Sequence, residues 1–254
     1  MPRASRCFLP GYVWHLTHRC HDREFLLKAA RDRDLWRRWL WEATSRYGLS
    51  VLDFVATSNH IHLLVHDESG EGVIARSMQL VQGRTAQSYN WFRGRRGGYW
   101  QDRYHAVAVE SGEHLWRCLV YIELNMVRCG VVEHPRQWPW VGFQEIMGRR
   151  SRYRLIDLER LCWRVGTTNL GELRKNLEVS LAETIAQDRV KRESCWTESL
   201  AVGSQSFVEK IQPRMLSRRQ TEVTETGSGI WILKETPPAY GQKTGAKIHA
   251  KTNS

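Results

Sequence analysis

The chain has 254 residues, 41% hydrophobic and 26% charged, which suits one sizeable core plus a tail, or two small domains, and does not suit a disordered chain. No stretch approaches the ~20 apolar residues that span a bilayer, and the amino terminus lacks the apolar run of a secretory leader, so a cytoplasmic, nucleoid-associated protein is expected. Net charge is +11, carried by 30 Arg and 8 Lys, which points to a polyanionic partner.

Arginine's planar fork suits bidentate phosphate contacts and stacking on bases, and 12 Trp and 8 Tyr supply rings of the kind found on single-strand binding surfaces. A GC-rich coding sequence would also favour Arg over Lys, but the net charge does not depend on that choice. The six cysteines form no C-x-x-C pair and no zinc-finger spacing, and are read as reduced thiols.

In chain order, Tyr12 to Thr17 alternates in the manner of a strand. Asp32 to Tyr47 is expected as a helix, with Leu35, Trp36, Trp39, Leu40 and Ala43 on one face and Gly48 ending it. Leu49 to Ala56 and His60 to His66 read as two strands of a hairpin closed by Thr57-Ser58-Asn59. Gly72 to Phe92 reads as a helix that ends at the basic, glycine-rich run Arg93 to Gly98. Tyr104 to Glu110 is a fourth strand, and Glu113 to Arg128 a third helix closed by Gly130.

The order β-α-β-β-α-β predicts an α+β fold over residues 1–147: a ferredoxin-like antiparallel four-stranded sheet with one added helix. Two helices would cover one sheet face, leaving the other for the added helix. Residues 148–226 are expected as a helical extension, with helices near Leu155 to Val165, Leu170 to Arg192 and Ser206 to Arg218. From Gly227 to Ser254 the Gly, Pro, Lys and Thr content predicts a disordered basic tail.

His60 and His62 are i and i+2 of a strand, so both project from one face with Cα atoms roughly 6.6 Å apart. Both imidazoles could reach one cation, while Ile61, Leu63 and Val65 face the packed helices. Mg²⁺, Mn²⁺ and Zn²⁺ all remain open, as does a pair of half-exposed histidines with no ligand. His66 lies at the strand's end and is read as peripheral.

In the third helix Tyr121 and Asn125 are i and i+4 and share a face, with Leu115, Leu119 and Ile122 on a neighbouring stripe. That helix could present a phenol and a carboxamide oxygen to the histidines, Asn125 completing a three-ligand site beside Tyr121 as nucleophile. A phenol, with a reference pKa of about 10, needs a cation or base nearby to attack phosphorus. The bland alternative is a core tyrosine and a solvated asparagine.

Three segments carry a resemblance: Ser58-Asn59-His60-Ile61-His62-Leu63-Leu64-Val65, Tyr99-Trp100-Gln101-Asp102-Arg103-Tyr104 and Tyr121-Ile122-Glu123-Leu124-Asn125-Met126-Val127-Arg128. In this order they resemble the signature of the His-hydrophobe-His tyrosine transposases, in particular the REP-associated branch. Pro10-Gly11 with His15-Leu16-Thr17-His18-Arg19 is similar to that family's first strand, and Gly203-Ser204 with Ser206-Phe207-Val208 more weakly to a motif near the carboxyl end. The resemblance covers residues 8–147 well. It implies Tyr121 as nucleophile, a divalent metal (Mg²⁺ or Mn²⁺) held by His60, His62 and Asn125, and cleavage and strand transfer of single-stranded DNA near hairpin-forming repeats. Met126 departs from the family's usual proline, which should alter a helix bend more than the chemistry.

Arg93, Arg95 and Arg96 with Trp100 nearby suit phosphates and unstacked bases, Arg19 and Arg23 form a second patch, and Arg103 is a further candidate DNA contact. Tyr104 is a reserve nucleophile. Assembly as a monomer or homodimer stays open. Two other readings compete: a non-catalytic module binding hairpin DNA or RNA, and a hydrolase activating water at a two-histidine metal site.

Overall fold

The computed structural model describes residues 8–215, 220–227 and 229–236. The first half follows the expected order: β1 (Tyr12–Arg19), α1 (Ala30–Tyr47), β2 (Ser50–Ala56), β3 (His60–Asp67), α2 (Val73–Arg93) and β4 (His105–Val109). These strands lie side by side as β2-β3-β1-β4, all antiparallel, which is the ferredoxin-like order.

The strand alternation sorts the two faces. Trp14 and Leu16 of β1, Phe54 of β2 and Ile61, Leu63 and Val65 of β3 form one apolar layer. Trp36 and Leu40 of α1 and Ile74, Met78 and Val81 of α2 cover it at helical spacing, with Trp36 and Phe54 rings 6.1 Å apart. α1 stops where Gly48 adopts φ 69°, a left-handed cap that favours glycine.

The opposite face receives the added helix, with one difference from expectation. A single helix over Glu113 to Arg128 is instead two: α3 (Glu113–Glu123) and α4 (Asn125–Arg128), separated at Leu124 with φ −80° and ψ 5°. The Arg128 guanidinium donates to the Tyr121 carbonyl across this break at 2.9 Å. A side chain thus satisfies an acceptor near the helix end. The break occurs with Met126 where a proline was expected, so it does not depend on that ring.

The carboxyl-terminal half contributes helices, as expected, and also strands, which were not. After α5 (Phe143–Ile146) come α6 (Leu158–Val165), α7 (Leu170–Ala186) and α8 (Cys195–Glu198). Then β5 (Ala201–Gly203), α9 (Gln205–Ile211), β6 (Thr221–Thr226) and β7 (Ile230–Glu235) complete the described chain. β5 pairs parallel with β4, giving a seven-stranded sheet, β2-β3-β1-β4-β5-β7-β6, in place of four strands. β7 lies where a disordered tail was expected; the rest of that tail, 237–254, falls outside the described residues. Its Ile230-Trp231-Ile232-Leu233 run carries strand propensity that the surrounding Gly, Pro and Lys outweighed. β5, three residues long, is too short for alternation to register, and β6 holds a single apolar residue, Val223, among Thr and Glu.

No helix among the described residues is long and apolar enough to cross a membrane. Cys20, Cys118, Cys129, Cys162 and Cys195 are free thiols, as expected, and Cys7 lies outside the described residues.

One polar feature sits inside this core. Asp53 of β2 and Glu123 of α3 are buried as neighbours, and as two carboxylates, which only accept, their oxygens have no hydrogen-bond partner. Burial pushes both carboxyls well above the usual range, so the pair holds a shared proton. Gly142 packs on it so closely that a Cβ there would lie 1.9 Å from Asp53 Oδ1. Gly142→Ala is therefore expected to destabilise the protein by about 2 kcal/mol in denaturant unfolding. A raised folded pKa means that stability is full below the unfolded carboxyl's pKa and falls as pH rises above about 4. Asn at position 53 would donate to Glu123 without that proton. Asp53→Asn should thus gain stability relative to the parent as pH rises; parallel stability-versus-pH curves would contradict the shared proton.

Candidate functional site

The turn Thr57-Ser58-Asn59 delivers His60 and fixes its ring. The Thr57 hydroxyl donates to the His60 carbonyl at 2.8 Å, so it accepts from His60 Nδ1 at 2.9 Å. Asn59 Oδ1 accepts from the same nitrogen at 2.8 Å, while Asn59 Nδ2 donates to the Arg23 carbonyl. With its hydrogen on Nδ1, His60 keeps a bare Nε2. His62, two residues on and 3% exposed, stands beside it with ring centroids 5.2 Å apart.

Asn125 opens α4 directly against both rings. Its Nδ2 lies 3.1 Å from His62 Nε2. Its Oδ1 is buried without a hydrogen-bond partner. An orphaned carboxamide oxygen beside two imidazoles is a fitting donor set for a divalent cation. Among the described residues no cluster of three or more His, Cys, Asp or Glu could hold a metal, and the group beside the two imidazoles is an amide.

Burial, with Arg19 and Arg128 adding to it, pulls His60 down to about 4. It lowers His62 well below the ordinary histidine value. Both rings are neutral at neutral pH, the state that offers a lone pair.

Tyr121, one turn before Asn125 and 5% exposed, places its ring 6.0 Å from that of His62. Burial raises its phenol, and the neighbouring Arg128 cation opposes the rise. Arg128 is anchored there by the Tyr121 and Lys191 carbonyls, with its guanidinium 4.0 Å over the Tyr121 ring.

These groups share one cleft of about 730 Å³, lined also by Arg19, Arg23, Arg103, Arg128 and Arg192. The structure therefore brings together Tyr121, His60, His62 and Asn125 with three of the expected arginines. The other expected DNA-binding residues do not line this cleft. Arg93 pairs with Asp32 at 3.4 Å, and Arg95 pairs with Glu24 and donates to the Gly98 carbonyl. Arg96 is exposed in the same loop. Trp100 is half-buried, stacked on His18 at 4.5 Å and donating to the Gln82 carbonyl. His66 sits apart, between Arg160 and Arg164, as its place at the strand's end implied.

Four contributors had no role in the sequence reading. His15 of β1 lies with Nε2 2.9 Å from His62 Nδ1 and Nδ1 2.9 Å from the Trp196 carbonyl. Its alternation with Val13 and Thr17 marked the face, but only the strand pairing shows which histidine it meets. Trp196 packs against Tyr121 with ring centroids 6.2 Å apart, and Arg192 reaches the cleft from the same extension. Neither carried a local signal. Arg128 was quoted in the tyrosine segment without a role.

Residues 10–125 match the family described as IS200-like transposases. Among curated proteins no sequence matches. A solved structure of a REP-associated tyrosine transposase bound to a REP hairpin is 18% identical, with a TM-score of 0.49, over 59% of this chain and 87% of that one. A Deinococcus radiodurans R1 protein assigned as a transposase is 16% identical, with a TM-score of 0.33, over 46% of this chain and 91% of that one. The match to the IS200-like transposases, a family of DNA-cleaving enzymes, thus covers the segment that carries His60, His62, Tyr121 and Asn125.

Proposed function

We propose that this protein cuts and rejoins single-stranded DNA at or near hairpin-forming palindromic repeats, through a covalent 5′-phosphotyrosine on Tyr121. The observation that carries this reading is the meeting of Tyr121, His60, His62 and Asn125 in one arginine-lined cleft of an IS200-like transposase domain.

Tyr121 Oη forms a bond to phosphorus as the P–O3′ bond breaks; the phenol loses its proton and the departing oxygen gains one. The 5′-phosphate stays on the tyrosine, so the bond energy is kept for a later 3′-hydroxyl to reclaim. Arg128, over the ring, stabilises the developing phenolate that burial disfavours. Arg19, Arg23, Arg103 and Arg192 on the cleft wall bind the flanking phosphates. His60, His62 and Asn125 would hold Mg²⁺ or Mn²⁺, which when bound offsets charge on the phosphate oxygens.

With Mg²⁺ or Mn²⁺ and a single-stranded hairpin oligonucleotide, the protein should form a DNA adduct stable to denaturant and absent in Tyr121→Phe. Adduct persisting in that variant would remove Tyr121 as nucleophile; tight binding with no adduct in the parent would favour a binding module. Offsetting phosphate charge is worth several kcal/mol, so His60→Ala and His62→Ala should each slow adduct formation on the order of 1,000-fold while binding persists. Arg128→Gln should push the Tyr121 phenol higher still, read by ultraviolet titration against Tyr121→Phe; an unchanged titration would deny Arg128 that role. Arg23→Ala and Arg103→Ala should each flatten the salt dependence of hairpin binding by about 0.7 in log–log slope.

A further inference from the structure

The hydrogen bonds around His15 have only one consistent direction. A backbone carbonyl can only accept, so the 2.9 Å contact from His15 Nδ1 to the Trp196 carbonyl places a hydrogen on Nδ1. His15 is fully buried, and burial disfavours a charge on its ring by more than the Trp196 carbonyl favours one. The neutral ring then has a bare Nε2. That nitrogen lies 2.9 Å from His62 Nδ1, and the hydrogen between them must belong to His62. The lone pair of His62 is thereby left on Nε2, where the Asn125 amide nitrogen donates to it at 3.1 Å and Asn125 Oδ1 stays unpaired. Every donor in this row points from Asn125 toward Trp196.

We propose that His15 is a positioning residue: anchored on the Trp196 carbonyl, it locks His62 in the Nδ1–H tautomer and so aims the Nε2 lone pair into the cleft. The carboxyl-terminal extension therefore sets the competence of the catalytic sheet to hold a cation. His60 has a local device for the same end in its own turn, through Thr57 and Asn59. His62, in mid-strand, has no turn beside it; its acceptor is His15 Nε2, and that ring is held in turn by the carbonyl of Trp196, 134 positions beyond His62 in the chain. Ring partners of this kind hold a ligating histidine's tautomer and orientation. The opposite tautomer, with hydrogen on Nε2, would leave His62 no lone pair to offer. This inference rests on the cation site proposed above, but its tautomer can be read without any metal.

The first test is a long-range ¹H–¹⁵N correlation spectrum of the histidine rings in the metal-free protein. His62 should carry hydrogen on Nδ1 and none on Nε2; hydrogen on Nε2 overturns the proposal. The second compares His15→Phe with His15→Gln by Mn²⁺ titration, followed by electron paramagnetic resonance without DNA. His15→Phe, which removes the acceptor, should weaken Mn²⁺ binding about 10- to 100-fold. His15→Gln, whose amide can donate to Trp196 and accept from His62, should recover most of that loss. Hairpin binding in chelator should be unchanged in both, which a general loss of structure would not allow. Equal Mn²⁺ affinity in His15→Phe and the parent overturns the positioning role. Absence of Mn²⁺ binding in the parent would instead remove the cation site itself, with the ring spectrum still deciding the tautomer.

Discussion

The pairing of β1 with β3 holds the whole arrangement in place. Its register sets Leu16 opposite Leu63 and Thr17 opposite His62, so one face of the sheet is apolar and the other carries His15, His60 and His62. Strand side chains alternate with period two, and a slip of one residue would turn these histidines into the layer under α1 and α2. The register is thus enforced by hydrophobic burial on the far side of the sheet. The chemistry takes its geometry from a core it does not touch.

On the near side, burial acts in opposite senses on the two kinds of group. It keeps the imidazoles neutral, which a cation site needs, and it holds the Tyr121 phenol protonated, which nucleophilic attack does not. Arg128 serves both ends. Its charge helps lower His60 and opposes the rise at Tyr121, and its bond to the Tyr121 carbonyl spans the break between α3 and α4. That break lets Asn125 begin a new helical segment against the histidines while Ile122 stays in the core. The Asp53–Glu123 pair lies immediately before it, tying the last turn of α3 to the neighbouring strand.

How much of this was legible depended on whether the signal was local. The His60–His62 alternation, the Tyr121–Asn125 spacing and the βαββαβ order are periodicities within single elements, and the sequence displays them directly. Asp53 and Glu123 drew no reading, because nothing in either strand or helix reveals a partner 70 residues away, as Glu123 is from Asp53. His15 required strand pairing, and Trp196 required the fold of the extension, which joins the sheet by a three-residue parallel strand. At Arg93 and Arg95 a basic, glycine-rich run suggests phosphate contacts, while the acids that pair with them, Asp32 and Glu24, lie too far back in the sequence to be read with it.

The sheet has one more property that follows from where the later residues go. A four-stranded ferredoxin-like sheet exposes two open edges, at β2 and β4, each a row of backbone donors and acceptors ready to template another strand. Here the chain closes both. β5 runs along β4, and on the other side Val141 and Ile156 form bridges to Val55 and Val51 of β2. The outermost strand becomes β6, whose Thr-Glu-Val-Thr-Glu-Thr sequence offers a neighbouring strand little to bury and two charges to repel. The extension acts as an internal guard against edge-to-edge association, so another molecule meeting this domain must do so through side chains rather than by lengthening its sheet at β4.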